Sequence, residues 1–199
     1  MIGMIQPLVK EARHRDELLP TMAVYAVGVL LSALLAGVGW AVLGHVVQSV
    51  VPVRLAVAAV AAICLAFVPL DLGVRGARPL TWRRQTCYLW WRGFGDRRAW
   101  FLWGLDLGLG VTTYRATSLY WAAVLTTVLL APPAAGPLIM AAYGAGLVAN
   151  LAAGALVMRR TGVFSAGNRS PLLLMRPARY VSALVLTTWS AGLILSVVL

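Results

Sequence analysis

From Thr21 to Val50 the chain carries no Asp, Glu, Lys or Arg, Pro52 and Arg54 mark a turn, and Leu55 to about Val74 is apolar again except for Asp71. A polar stretch follows, holding Arg75, Arg78, Arg83, Arg84, Arg92, Arg97 and Arg98. Ala99 to Ala131 is apolar but contains Asp106 and Arg115, and the run Ala131-Pro-Pro-Ala-Ala-Gly-Pro137 breaks any helix. Leu138 to Met158 and Tyr180 to Leu199 are two further apolar stretches, separated by a segment with Arg159, Arg160, Arg169, Arg176 and Arg179. Apolar blocks of about 20 residues match the length an α-helix needs to cross hydrocarbon. The pattern predicts an all-α polytopic transmembrane helical bundle.

Whether 99–131 crosses once or twice decides the topology. One crossing gives five spans, at about 21–50, 55–74, 99–131, 138–158 and 180–199, behind a charged N-terminal segment 1–20. The N-terminal segment, the loop 75–98 and the loop after Met158 then share one side. That side holds fifteen of the seventeen basic residues, with Arg54 opposite and Arg115 within the membrane. Two crossings would split that asymmetry and ask Phe101 to Thr113 to span alone. Lys and Arg collect on the cytoplasmic side, so five spans with a cytoplasmic N-terminus in a single transmembrane domain are expected, multi-pass in the cell (plasma) membrane. The first span is too long for a signal-peptide core and is expected to be retained.

Composition narrows the chemistry. Of 199 residues 61% are hydrophobic and 12% charged, which rules out a water-soluble domain. A net charge of +11 follows from the topology just described, and without aromatic-basic recognition motifs it does not point to nucleic acid. The two cysteines, Cys64 and Cys87, form no CxxC pair, and neither histidine, His14 or His45, lies in a ligand cluster, so no metal site and no cofactor are expected. There is no nucleophile with a neighbouring base, no HExxH, no phosphate-cradling glycine loop and no close pair of carboxylates. An enzyme is not expected.

Trp82, Trp90, Trp91, Trp100 and Trp103 fall in or beside the loop 75–98 with its seven arginines. Indole and guanidinium groups favour the headgroup zone, so Arg83, Arg84, Trp90, Trp91 and Arg92 are expected at the cytoplasmic interface, in contact with the bilayer and with anionic lipid.

Arg115 lies midway along the third stretch, at a depth where a charge is costly unless it faces protein or water. Gly104, Gly108 and Gly110 weaken the helix ahead of it, and the Thr112 and Thr113 hydroxyls can satisfy freed carbonyls, which predicts a kink or unwound turn. If the third and fourth spans form a hairpin, Asn150 comes level with Arg115, between Gly146 and Gly154 on a face that permits close approach. Arg115, Asn150, Tyr114, Thr112 and Thr113 thus form the candidate central polar site. Asp71 and Asp106 sit nearer the cytoplasmic ends, each in a Leu-Asp-Leu-Gly tetrapeptide, as partners for interfacial arginines or as members of a proton or ion relay.

The run from Phe101 to Arg115 (FLWGLDLGLGVTTYR), followed by Ala141 to Asn150 (AAYGAGLVAN), resembles the second half of the cytochrome c biogenesis and disulfide-interchange membrane carriers of the CcdA/DsbD type. The resemblance implies a bundle of two three-helix halves, with Thr21 to Val74 as that family's second and third spans and its first helix missing. The family's Thr-Pro-Cys falls on Thr112-Thr113-Tyr114, so the relay cysteine is absent. These readings point to a non-enzymatic small transporter or an accessory subunit of a membrane complex, holding an anionic ligand or lipid at Arg115 and working as a homo-oligomer or beside a partner membrane subunit. Two alternatives stand beside it: a thiol-disulfide electron carrier using Cys64 and Cys87, and an anchor recruiting a cytoplasmic partner through the loop 75–98.

Overall fold

The computed structural model describes the backbone of residues 15–77, 79, 96–110, 117–161 and 170–198, and side chains over 19–77, 79, 97–110, 117–153 and 177–196. Among the described residues the protein is all-helical: α1 (Arg15–Gln48), α2 (Val53–Leu72), a 3-10 turn at Val74–Gly76, α3 (Asp96–Leu109), α4 (Leu119–Leu129), α5 (Ala135–Thr161) and α6 (Ser170–Val198). Four segments are long and apolar enough to cross a membrane: Leu19–Gln48, Val53–Leu72, Ala135–Ala153 and Pro177–Ser196.

Local chemistry explains the boundaries. Pro52, at φ −59° and ψ 136°, starts α2, and Gly73 ends it in the left-handed conformation, its N–H donating to Leu70 and Pro69 carbonyls. A left-handed residue is costly for any side chain with a Cβ, so glycine belongs there. Helix α6 begins ten residues before the expected Tyr180, at Ser170-Pro171. Proline is well suited to a first helical turn, where its missing N–H costs nothing, and the Leu-Leu-Leu-Met that follows continues the helix.

The third apolar stretch, 99–131, holds two helices, α3 of 14 residues and α4 of 11, broken where the glycines led a kink or unwound turn to be expected. At 1.5 Å per residue they are about 21 and about 16 Å long, and neither alone spans a core of about 30 Å. The glycines expected to weaken this region do so at Gly110, which follows α3 with φ 75°.

Contacts group the chain into two compact units, Met1–Ala33 with Trp82–Tyr114 and Gly144–Met175, and Leu34–Thr81 with Arg115–Tyr143 and Arg176–Leu199. The first unit's core is Tyr25, Val29, Trp100, Trp103 and Leu107. Trp100 and Trp103, beside the loop 75–98, are core residues of this unit, with Trp100 fully buried and the two rings edge to face at 5.3 Å. Their spacing with Leu107 puts all three on one face of α3.

That face meets α1 at very short range. A Cβ added at Gly104 would press on the Tyr25 carbonyl and lie 3.1 Å from Gly28 Cα, and one at Gly28 would press on the Phe101 carbonyl. Small residues permit such backbone contact, and dispersion between close-packed helices replaces the hydrophobic drive that lipid does not supply. Ser32 seals the crossing, donating to Gly28 O at 2.9 Å and reaching Gly104 O at 3.5 Å.

In the second unit, Val60, Cys64 and Phe67 of α2 pack with Ala122 of α4 and Leu186 of α6. Tyr120 and Val124 of α4 form a further cluster with Met140 of α5. Helix α4 is thus apolar on opposite faces and buried by neighbours on both.

The Gly28–Gly104 crossing has a direct test in thermal unfolding of the detergent-solubilised protein. Gly104→Ala is expected to cost about 1–3 kcal/mol by forcing backbones apart. Gly192→Ala, at a position with no neighbour within 4 Å, is expected to be neutral or to gain up to about 1 kcal/mol through helix propensity.

Candidate intramembrane polar site

Asp71 lies in the last turn of α2 and is fully buried. Its carboxylate faces the start of α4. Oδ1 accepts from Ser118 N–H at 2.9 Å and from Ser118 Oγ at 2.7 Å, and Oδ2 accepts from the same N–H at 3.1 Å and from Ser182 Oγ of α6. Ser118 is the N-cap residue of α4, yet its hydroxyl makes no cap bond of its own. Its side chain is committed to Asp71, and Asp71 in return satisfies one of the helix's orphan N–H groups. A carboxylate at this end also complements the positive pole of the helix dipole, and charge-assisted hydrogen bonds are the stronger kind.

The far end of α4 has a matching device. Pro132 and Pro133 follow the helix, so the carbonyls of Val128 and Leu129 lose the N–H donors that residues four positions on would supply. Gln48, at the end of α1, donates Nε2 to Val128 O at 3.1 Å and to Ala131 O at 3.0 Å. Between the two ends, Thr127 Oγ1 is buried with no hydrogen-bond partner among the described residues. Side chains from two other helices therefore bond the ends of α4, Asp71 of α2 at its start and Gln48 of α1 at its close, and Ser182 of α6 bonds the Asp71 carboxylate in turn.

Arg179 lies one turn before Ser182 on α6, its Nη1 3.6 Å from where a Cβ would stand on Gly73. This sets a cation over the carbonyl-bearing end of α2, the favourable sign for a helix C-terminus. Arg75, two residues past Gly73, is exposed and held at φ 54°.

The candidate residues from sequence fare unevenly. Arg115, Tyr114, Thr112 and Thr113 lie outside the described residues, as do Arg83, Arg84, Trp90, Trp91, Arg92 and Cys87. Asn150 is exposed on α5, and Gly146 on the same face has no atom within 4 Å of its Cβ position. Asp106 is half-buried on α3. Cys64 is a free thiol buried among Val60, Phe67, Ala122 and Leu186. Among the described residues no group of His, Cys, Asp and Glu could hold a metal ion.

Asp71 was legible as an intramembrane acid, but the hydrogen bonds it accepts come from two serines and a backbone N–H. Ser118, Ser182 and Gln48 were missed as site residues. Serine is common in apolar helices, and nothing in its local sequence tells a side chain bonded within its own helix from one bonded to another. Gln48 carried more signal, as an amide just ahead of a turn.

Comparison of the chain with protein-family models, curated proteins and solved structures yields no match.

Removing the Gln48 donor tests the closing device. Gln48→Leu strips both carbonyls of their partner and is expected to cost about 1–3 kcal/mol in equilibrium unfolding from micelles. Gln48→Glu, which turns a donor into an acceptor facing two carbonyls, is expected to cost at least as much. Wild-type stability for both variants would show that water satisfies these carbonyls equally well.

Proposed function

We propose that the chain is a non-enzymatic, multi-pass membrane protein, a small transporter or an accessory subunit of a membrane complex, working at the interruption of its third span. In this reading the stretch 99–131 crosses the membrane once, as a single span interrupted after Leu109. The protein then crosses five times, with a cytoplasmic N-terminus. The observation that carries the reading is that α3 stops at Leu109, Gly110 is left-handed, and α4 starts again at Leu119 with a buried carboxylate on its first turn. Helix ends within hydrocarbon are tolerated where they face protein or a water-lined cavity. Interrupted helices in transporters put their exposed ends to use in binding ions and charged groups.

The segment between α3 and α4 carries Arg115 with Thr112, Thr113 and Tyr114. These residues are proposed to hold an anionic group, either a transported ion or a lipid headgroup. A chain of this size leaves a thin wall around any path, which favours a homo-oligomer or a partner membrane subunit. The resemblance to the CcdA/DsbD-type carriers fits a scaffold of this kind with its relay cysteines replaced. The thiol-carrier alternative is disfavoured by the burial of Cys64 in an apolar cluster, because a thiol must be reached to exchange.

The test is purification in lipid nanodiscs, identification of what co-purifies, and measurement of its binding by Arg115→Ala and Arg115→Lys. The reading predicts at least a tenfold loss for Arg115→Ala, with Arg115→Lys retaining part of the affinity. Binding by both variants equal to wild type would leave Arg115 a structural residue and remove the proposed site.

A further inference from the structure

Helix α6 carries a series of Ser and Thr side chains, and all but one of those described behave alike. Thr187 donates to Ala183 O at 2.8 Å, Thr188 to Leu184 O at 3.0 Å, Ser190 to Leu186 O at 2.8 Å and Ser196 to Leu193 O at 2.7 Å. Each returns its proton to a carbonyl three or four residues back, a common arrangement for hydroxyls within helices. Ser182 departs from this and sends its proton out of the helix to Asp71. The carbonyl of Ala178, one turn behind Ser182, is the acceptor its siblings' pattern would use. Ser182 therefore has two directions in which its proton can go.

Those two directions match the two forms of Asp71. An ionised carboxylate only accepts, whereas a carboxylic acid accepts on one oxygen and must donate from the other. In the ionised form Oδ1 receives Ser118 Oγ–H and N–H, and Oδ2 receives Ser182 Oγ–H and shares the Ser118 N–H at 3.1 Å. When a proton from water forms an O–H bond at Oδ2, the two donors of Ser118 stay on Oδ1. The new O–H donates to Ser182 Oγ, and the Ser182 proton turns to Ala178 O. No heavy-atom bond breaks, one hydrogen bond reverses, and the site's charge goes from −1 to 0. Every polar hydrogen keeps an acceptor in both forms. A carboxylate held on both oxygens by backbone N–H groups alone would have no oxygen nearby to receive its acid proton. Here one of the two oxygens faces a hydroxyl that both gives and takes.

We propose that Asp71 is a proton-binding site, taking up its proton on the oxygen that faces Ser182, with Ser182 as the positioning residue that accommodates both forms. This deepens the transporter reading by naming the ion coupled to α4, and it rests on that reading for the proton's use but not for its binding. On the elements that build the site, the charged and titratable groups nearest in sequence are Cys64 on α2, Arg75 in the turn after it, Tyr120 on α4, and Arg179 and Tyr180 on α6. Tyr114 and Arg115 precede Ser118 in sequence and lie outside the described residues. Asp71 is the carboxylate of this set. Its negative charge complements the start of α4 only while ionised. Proton uptake thereby loosens the hold of α2 and α6 on the first turn of α4.

The test is an acid titration of the full chain in nanodiscs, followed by the infrared carboxylic C=O stretch. Wild type is expected to gain a protonated-carboxyl band that is lost in Asp71→Asn. In Ser182→Ala the band is expected to persist but shift to higher frequency, because the acid O–H has lost its acceptor. Should Asp71→Asn fail to fold, 13C-aspartate labelling of Asp71→Glu makes the same assignment, since the band loses its isotope shift. No Asp71-dependent band before acid unfolding, or an Asp71 band at one frequency with and without Ser182, would overturn the proposal. Transport found absent while the band remains removes the transporter reading and leaves the proton site. Transport without the band does the reverse.

Discussion

A helix too short to cross the hydrocarbon must have its ends satisfied by the protein, since lipid offers no hydrogen bonds. In this chain that constraint falls on α4, whose 11 residues leave both ends to be completed by other helices. At its start the N–H and hydroxyl of Ser118 go to the buried carboxylate of Asp71. At its close two carbonyls receive the amide of Gln48. Both devices use polar side chains from the last turns of preceding helices, so the ends of α1 and α2 serve as caps for a helix far away in sequence. The same bonds that satisfy the ends of α4 also concentrate charge and polarity at its start.

In the first unit a different force holds the helices. Gly28 and Gly104 bring α1 and α3 into backbone contact, and Ser32 adds a hydroxyl bridge. Buried Trp100 and Trp103 fill the flank of that crossing. Glycine at the contact and tryptophan beside it divide the labour between closeness and bulk. The arrangement leaves α3 anchored by packing, whereas α4 is anchored at its ends by hydrogen bonds as well.

Much of the architecture was written in hydropathy. Four apolar segments long enough to cross a membrane lie within a few residues of where charge-free runs place them, because burial in lipid demands an uninterrupted apolar stretch. The breakers at Pro52 and Pro132-Pro133 were equally plain. The interruption after Leu109 was half legible. Gly104, Gly108 and Gly110 signalled weakness, but hydropathy has no sensitivity to backbone angle, so which of them ends the helix was not legible. The start of α6 was missed because Arg176 and Arg179 masked a helix that proline at its first turn favours. Of the site, Asp71 announced itself by its charge. Its partners did not, since Ser118 and Ser182 lie 47 and 111 residues away in sequence and serine carries no local mark of a long-range bond.

The central claim is that Asp71 ties the start of α4 to α2 and α6 through coupled hydrogen bonds. A double-mutant cycle on unfolding free energy, with Asp71→Ala, Ser182→Ala and the pair, measures that coupling without reference to any ligand. The account predicts a non-additive interaction of about 1–3 kcal/mol, as expected for residues sharing one hydrogen-bond network. Strict additivity of the two single effects would contradict it.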